Sequence, residues 1–300
     1  MREQIAFFAD RNMLPGLHVA LLSTIRTLEL APPLQFTIFS DGLSDTHKRE
    51  LHKTFQSTRS DHTLEIRDFV STRIFGASSL HGNFTCYGRL LLADLLPAAS
   101  RCIYLDCDVI AGTSVRELFN YLDGTKTIAA DGCGTCESSL DREFYHKAGL
   151  APTDKCFNSG VLAIDLDRWR RLNVREMCLS VSRRFRRMFK SHEQSLLNIS
   201  LHDDFFAFGS QYNFAIDPST LTIEDPADKI LHFLGSPKPW DFLGKQLHSS
   251  YELWVSIFRE TAIGANPLSR YRTLSRTLAI SRSMYRVWLQ RRKQSRDRMV

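Results

Sequence analysis

The order of apolar runs and helix-patterned stretches predicts an α/β fold, with a mostly parallel central sheet flanked by helices. Three observations carry this prediction. Short apolar runs alternate with segments of helical spacing through the first two-thirds of the chain. Those runs end in turn chemistry or at an aspartate. The 300 residues, 43% hydrophobic and 24% charged, suffice to bury a sizeable core in one large domain or two small ones.

Taken in order, residues 4–9 form an apolar run that ends at Asp10. Residues 15–28 carry helical spacing at Leu17, Ala20, Leu21, Ile25 and Leu28. Residues 34–39 read as a strand that stops at Ser40, Asp41 and Gly42. Ser44 and His47, followed by Leu51 and Phe55, open a second helix. Alternation marks 64–69 as a strand, and 87–96 reads as a helix stopped by Pro97. Residues 102–105 form the next strand, with Asp106 and Asp108 just beyond it. A helix over 115–122 and a strand over 127–130, ending at Asp131, complete the alternation. The pattern then changes to a strand over 161–164 and a long helix. That helix bears Arg168, Arg170, Arg171, Arg175, Arg183, Arg184, Arg186 and Arg187, most simply a solvated basic face.

In parallel sheets, ligands bind beyond the carboxyl ends of the strands. Asp10, Asp41, Asp106, Asp108 and Asp131 all fall at such ends, which predicts a polar site along one edge. A lone aspartate after a strand is ordinary turn chemistry, the simplest reading of Asp41. The pair at 106 and 108 is different. Two carboxylates one residue apart disfavour each other's ionisation, so either something positive sits between them or they lie far out in water. If strand geometry persists to 108, both side chains point the same way. A convergent carboxylate pair suits Mg²⁺ or Mn²⁺, and Mn²⁺ also accepts an imidazole.

The net charge of +6 is unevenly spread. Residues 267–300 hold ten Arg or Lys against one Asp, a net +9, which leaves −3 on residues 1–266. This divides the chain into a body, 1–266, and a basic amphipathic tail, 267–300. In the tail, Tyr271, Leu274, Leu278, Tyr285 and Trp288 recur at helical spacing beside Arg270, Arg272, Arg276, Arg282 and Arg286. Aromatics with arginines on one helix suit an anionic membrane surface, with docking on the body as the plainer alternative. Deleting 267–300 is then expected to release the protein from anionic vesicles while sparing its chemistry. No zinc-finger spacing or RNA-binding aromatic signature appears, so no nucleic-acid partner is expected. Seven scattered cysteines, a lone Cys133/Cys136 pair and no secretory leader pattern predict a cytoplasmic protein with reduced thiols, which the basic tail would make peripheral on the inner face of the cytoplasmic membrane. The absence of GxxxxGK[ST] and GxGxxG argues against ATPase and dinucleotide-binding readings.

Seven segments occur in order across residues 5–240: FFADRN, YGRLLLADLLP, RCIYLDCDVI, CFNSGVLAIDLDRWR, HEQSLLN, YNF and HFLGSPKPW. On these the chain resembles glycosyltransferase family eight, the group containing bacterial lipopolysaccharide galactosyl- and glucosyltransferases and glycogenin. The resemblance implies a GT-A fold and a retaining transfer of a hexose from a UDP-sugar donor to a glycan or glycolipid acceptor. It implies Mn²⁺, with Mg²⁺ as the alternative, held by Asp106, Asp108 and His232. Asp10 and Asn12 would hold uracil and ribose, with Met13 where the family often has an aromatic. Arg89 would reach the diphosphate and sugar. Asp131, Asn158 and Gly160 would line the sugar pocket. Glu193 and Gln194 would lie under the reacting carbon, Glu-Gln standing where the family usually has Asp-Gln. Gly235 and Lys238 would clasp the diphosphate.

Two other readings compete. One is a Mg²⁺ phosphohydrolase with Asp106 as nucleophile, Asp108 as acid/base and Asp203 and Asp204 as further ligands. The other is a non-catalytic nucleotide- or membrane-binding scaffold.

Overall fold

The computed structural model describes residues 3–28, 32–70, 84–186, 188–218, 225–248 and 250–297. Arg187 of the basic stretch and the last three residues of the tail lie outside them. β1 (Glu3–Asp10) passes through a tight turn at Arg11–Met13 into α1 (Leu14–Arg26), with Pro15 in the first turn, where no N–H is needed. β2 (Gln35–Asp41), α2 (Asp45–Gln56) and β3 (Thr63–Asp68) follow. Ser44 Oγ accepts from His47 N at 3.3 Å while His47 Nδ1 accepts from Ser44 N at 3.3 Å, a reciprocal cap that starts α2.

Next come α3 (Leu92–Leu95), β4 (Arg101–Leu105), β5 (Val109–Ala111), β6 (Ile128–Thr135), α4 (Arg142–Ala148) and β7 (Lys155–Asp165). After them lie α5 (Leu166–Leu172), α6 (Val174–Arg184), α7 (His192–Ser200), β8 (Phe205–Phe208) and β9 (Phe214–Ile216). The chain ends with β10 (Ile230–Phe233), α8 (Gly244–Leu247), α9 (Tyr251–Arg259) and α10 (Leu274–Asp297).

Seven strands form one sheet in the order β3-β2-β1-β4-β7-β6-β8. Only β7 runs against the others among the described strands. Alternate residues of β1 feed two cores: Ile5, Phe7 and Ala9 pack on one face, Ala6 and Phe8 on the other. A sheet covered on both faces explains why its central strands read as near-continuous apolar runs. The strand order reverses between β1 and β4, so a crevice opens beyond their carboxyl ends. A small sheet, β5-β10-β9, sits beside it, and its antiparallel β5·β10 pairing sets His232 opposite Val109.

Several local expectations change. The helix expected over 87–96 is a 3-10 segment, Thr85–Leu91, followed by the single turn of α3. The one over 115–122 is also 3-10, Val115–Tyr121. The long arginine helix is broken at Asn173, whose φ of 54° is left-handed, a conformation asparagine tolerates better than most residues. Strand geometry stops at Leu105, so Asp106 and Asp108 sit on a turn rather than on one face of a strand. β6 does not end at Asp131. It continues to Thr135, with register irregularities on either side of Asp131.

The tail forms α10, but its docking face is not the aromatic stripe. Ile280, Met284 and Val287 pack on Leu247 of α8. Tyr271 is buried in the main core just ahead of α10. Leu274, Leu278, Tyr285, Trp288 and Leu289 point outward. Among the described residues, no helix is long and apolar enough to cross a membrane.

Candidate active site

At the crevice, a cavity of about 430 Å³ gathers Asp10, Asn12, Arg89, Asp106, Asp108, Gly235 and Lys238, with Met13 also in its wall. Asp10 ends β1, and its Oδ1 accepts from Asn12 N at 2.9 Å and Met13 N at 3.0 Å. The carboxylate therefore caps the turn that presents Asn12 and Met13 to the cavity. On the neighbouring strand, Asp106 N donates to Gly160 O at 2.7 Å, continuing the β4·β7 ladder one residue past its end.

Asp106, Asp108 and His232 bring one ligand atom each within 4.8 Å of one another. His232 Nε2 lies 3.2 Å from Asp108 Oδ1 and 3.7 Å from Asp106 Oδ2. A hydrogen-bond chain orients the ring. Asn158 Oδ1 accepts from Gly160 N at 2.9 Å and from Asn213 Nδ2 at 3.0 Å, which leaves Asn213 Oδ1 to face His232 Nδ1 at 2.8 Å. Nδ1 therefore carries a proton, and Nε2 faces the two carboxylates. Asp108 Oδ1 is buried with no hydrogen-bond donor among the described residues. An orphaned buried carboxylate oxygen beside a second carboxylate and an imidazole nitrogen is a donor set that fits a hard divalent ion. Gly160 is required for the approach: a Cβ there would fall 2.1 Å from His232 Cε1 and 2.9 Å from Asp106 Oδ2.

Basic groups flank the cluster. Lys238 Nζ pairs with Asp108 Oδ2 at 2.5 Å and also donates to Phe233 O. Burial opposes ionisation of Asp108, but the adjoining Lys238 ammonium and His232 outweigh it and hold the carboxyl well below its ordinary range. Arg89, almost fully buried, donates to Asp106 Oδ1 at 2.7 Å, to Ser159 O at 2.5 Å and to Ser159 Oγ at 2.8 Å. Its Nη1 also lies 3.3 Å from Glu193 Oε1, and its guanidinium stacks 4.4 Å from the Tyr104 ring centre. Tyr104 Oη donates to the same Asp106 oxygen.

The remaining expected residues stand outside the cavity lining. Glu193 is buried at the start of α7 against Arg89 and Ser159 Oγ. Gln194 Oε1 accepts from Ser159 N at 3.1 Å. Asn158 and Gly160 support His232 from β7, and Asp131 pairs in register with Asn158. Burial raises the Asp131 carboxyl above its usual range, with His232 opposing.

The model of glycosyl transferase family 8 matches residues 4–244. The chain belongs to that family. Family 8 membership makes it a glycosyltransferase, and the fold agrees. General stress protein A of Bacillus subtilis (strain 168) is 26% identical over 281 residues, 86% of this chain and 94% of that protein. Lipopolysaccharide glucosyltransferase WaaO of Escherichia coli (strain K12) is 23% identical over 252 residues, 79% of this chain and 72% of that protein. The crystal structure of galactosyltransferase LgtC, in complex with donor and acceptor sugar analogues, superposes with a TM-score of 0.73 at 22% identity. That match covers 86% of this chain and 96% of LgtC, and it identifies the fold as GT-A.

On this family 8 scaffold, the phosphohydrolase reading loses its extra ligands. Asp203 and Asp204 precede β8, which runs parallel to β6, so they lie at the amino edge of the sheet, away from the crevice. Asp204 is occupied by Arg168 at 3.0 Å and by Thr127. Five residues that support the site were not assigned roles from the sequence: Tyr104, Ser159, Asn213, Asp241 and Arg276. Tyr104, Ser159 and Asn213 stand in the RCIYLDCDVI, CFNSGVLAIDLDRWR and YNF segments, which are the signals that pointed to them. The roles of Asp241 and Arg276 depend on which groups face them.

Proposed function

We propose that the chain is a retaining hexosyltransferase. It moves glucose or galactose from a UDP-sugar to a glycan or glycolipid acceptor, in lipopolysaccharide or other surface-glycan synthesis. The observation that carries this reading is the Asp106–Asp108–His232 cluster at a cavity also lined by Asp10, Asn12, Gly235 and Lys238. The printed activities of WaaO and of the lipopolysaccharide 1,3-galactosyltransferase of Salmonella typhimurium support the substrate class.

Asp106, Asp108 and His232 would hold Mn²⁺, with Mg²⁺ as the alternative. When bound, the ion neutralises charge that develops on the departing diphosphate. The chain's own groups do the rest. Lys238, which lines the cavity beside Asp108, would bind the diphosphate. Gly235, with φ of 68°, gives the loop a conformation that side chains disfavour and lets backbone approach phosphate closely. Glu193 is neutralised by Arg89, which makes it a poor free nucleophile and favours a front-face transfer in which the leaving phosphate takes the acceptor's proton. Gln194 and Asp131 would contact the sugar.

The test is a panel of UDP-sugars with Mn²⁺, reading UDP release without acceptor. UDP-galactose or UDP-glucose should be hydrolysed fastest, and EDTA should abolish the signal. Release from no UDP-sugar with either metal would overturn the reading, as would EDTA-insensitive release.

The membrane partner rests on a separate observation. Leu274, Leu278, Tyr285, Trp288 and Leu289 form an outward face on α10, with Arg292 stacked 4.6 Å from the Trp288 ring centre. Laid on the inner leaflet, that face would bury its apolar groups among acyl chains and set its arginines at anionic headgroups. Because α10 also walls the cavity, point substitutions test this better than deletion of 267–300. Replacing Leu278, Trp288 and Leu289 by Ser should weaken binding to phosphatidylglycerol vesicles by about tenfold or more while UDP release persists. Unchanged vesicle binding would remove the membrane role.

A further inference from the structure

The body's donor pocket is not closed by the body alone. Arg276, on the inward face of α10, lines the cavity together with Asp10, Asp108, Gly235 and Lys238. Its Nε and Nη2 hold Asp241 Oδ1 and Oδ2, both at 2.9 Å, with the side chain only 13% exposed. Asp241 Oδ2 also accepts from Lys238 N at 2.8 Å, so the same clasp fixes the Lys238 loop. Three residues before Arg276, just ahead of α10, the chain reaches the other end of the pocket: Thr273 Oγ1 donates to Asn12 Oδ1 at 3.1 Å. Arg272 Nε adds a bond to Trp240 O at 3.0 Å, and Trp240 Nε1 donates to Asn12 O at 2.9 Å.

The remaining Nη1 of Arg276 has no hydrogen-bond partner among the described residues, and its side chain forms part of the cavity wall. Burial opposes the guanidinium's charge, but Asp241, then Asp10 and Asp108, stabilise it and raise its pKa. The group is thus in electrostatic range of both the nucleoside end and the metal end of the pocket. Between those ends lies the place for two phosphates. An arginine already fixed through one edge by a carboxylate, with a further donor left over, is pre-organised to bind a second anion there.

We propose that Arg276 is a donor-diphosphate ligand, supplied to the catalytic body by the C-terminal helix. The inference rests on the UDP-sugar reading above. It gives the basic tail a role inside the active site that is independent of any membrane.

The experiment compares UDP and uridine binding to the full chain with Mn²⁺, by ligand-observed NMR titration. The variants are Arg276→Ala, Arg276→Lys and Asp241→Asn, with Arg183→Ala, exposed on α6, as a charge control. Arg276→Ala should weaken UDP about 10- to 100-fold, the loss of one charge-assisted bond to phosphate, and leave uridine within about twofold. Arg276→Lys should recover part of the loss. Asp241→Asn, which loosens the clasp but keeps the arginine, should preserve the preference for UDP over uridine. Arg183→Ala should match the wild type. Equal weakening of UDP and uridine by Arg276→Ala would mean a structural clasp only and overturn the inference. So would UDP binding unchanged in that variant. If Arg276→Ala fails to fold, loss of the UDP preference in Asp241→Asn to the same extent as in Arg276→Lys overturns it. A wild-type chain that binds no UDP overturns the donor reading, and the inference with it.

Discussion

Asp108→Asn is expected to lower UDP-sugar turnover by about 10³-fold or more, the equivalent of several kcal/mol of charge stabilisation at the leaving group. Asn keeps the shape of the side chain but not its charge. Of the three groups that converge, Asp108 is the carboxylate most tightly enclosed, 3.2 Å from His232 and 2.5 Å from Lys238. Its loss leaves one carboxylate and one imidazole for a dication, too little to compete with water. Mn²⁺ titration followed by electron paramagnetic resonance should show the site's affinity lost, not merely reduced turnover. The same change strands the Lys238 ammonium, so Lys238 should then lean on Phe233 O alone. A variant that binds Mn²⁺ and releases UDP within a few-fold of wild type would remove the metal centre from the mechanism.

Arg89→Met should be the most destabilising single change at the site. One guanidinium neutralises Asp106 and Glu193 together and bonds Ser159 twice. Deleting it leaves the buried Glu193 and the partly exposed Asp106 without a counter-charge, which costs about 3–5 kcal/mol. Urea unfolding reads that loss, and activity should fall with it because Asp106 loses its orientation. Arg89→Lys should rescue little, since an ammonium cannot reach two carboxylates and a carbonyl in one plane. The double variant Arg89→Met, Glu193→Gln should regain part of the stability, because one stranded charge is gone, without regaining activity. If Arg89→Met is as stable as wild type, the network is solvated and the burial inferred for it is wrong.

The site was partly legible because its most informative residues are placed by chain-local chemistry. An aspartate at the end of an apolar run marks the carboxyl edge of a parallel sheet, so Asp10 and Asp106 announce the crevice. The motif strings added His232 and the Lys238 loop. What was misread was mostly local geometry. A turn, not a strand, converges Asp106 and Asp108, and the β5·β10 pairing completes the triad. No spacing rule within one segment encodes a pairing between residues more than a hundred apart. The tail was half legible. Its charge and periodicity gave a helix with an apolar stripe, but periodicity cannot say which of two apolar faces finds a partner. Ile280, Met284 and Val287 took the body, and the aromatic stripe was left outside.

By itself the sequence determined the alternation of strands and helices, the aspartates at strand ends, the charge divided between body and tail, and the motifs of the family. Those properties follow from local periodicity and residue chemistry, which are written along the chain. Only the tertiary structure decided that Asn213 orients His232, that Gly160 must lack a side chain, that Glu193 is bound up with Arg89, and that α10 brings Arg276 to the pocket. Each of these depends on which distant group occupies the adjoining few ångströms, and packing settles that only when the whole chain is folded.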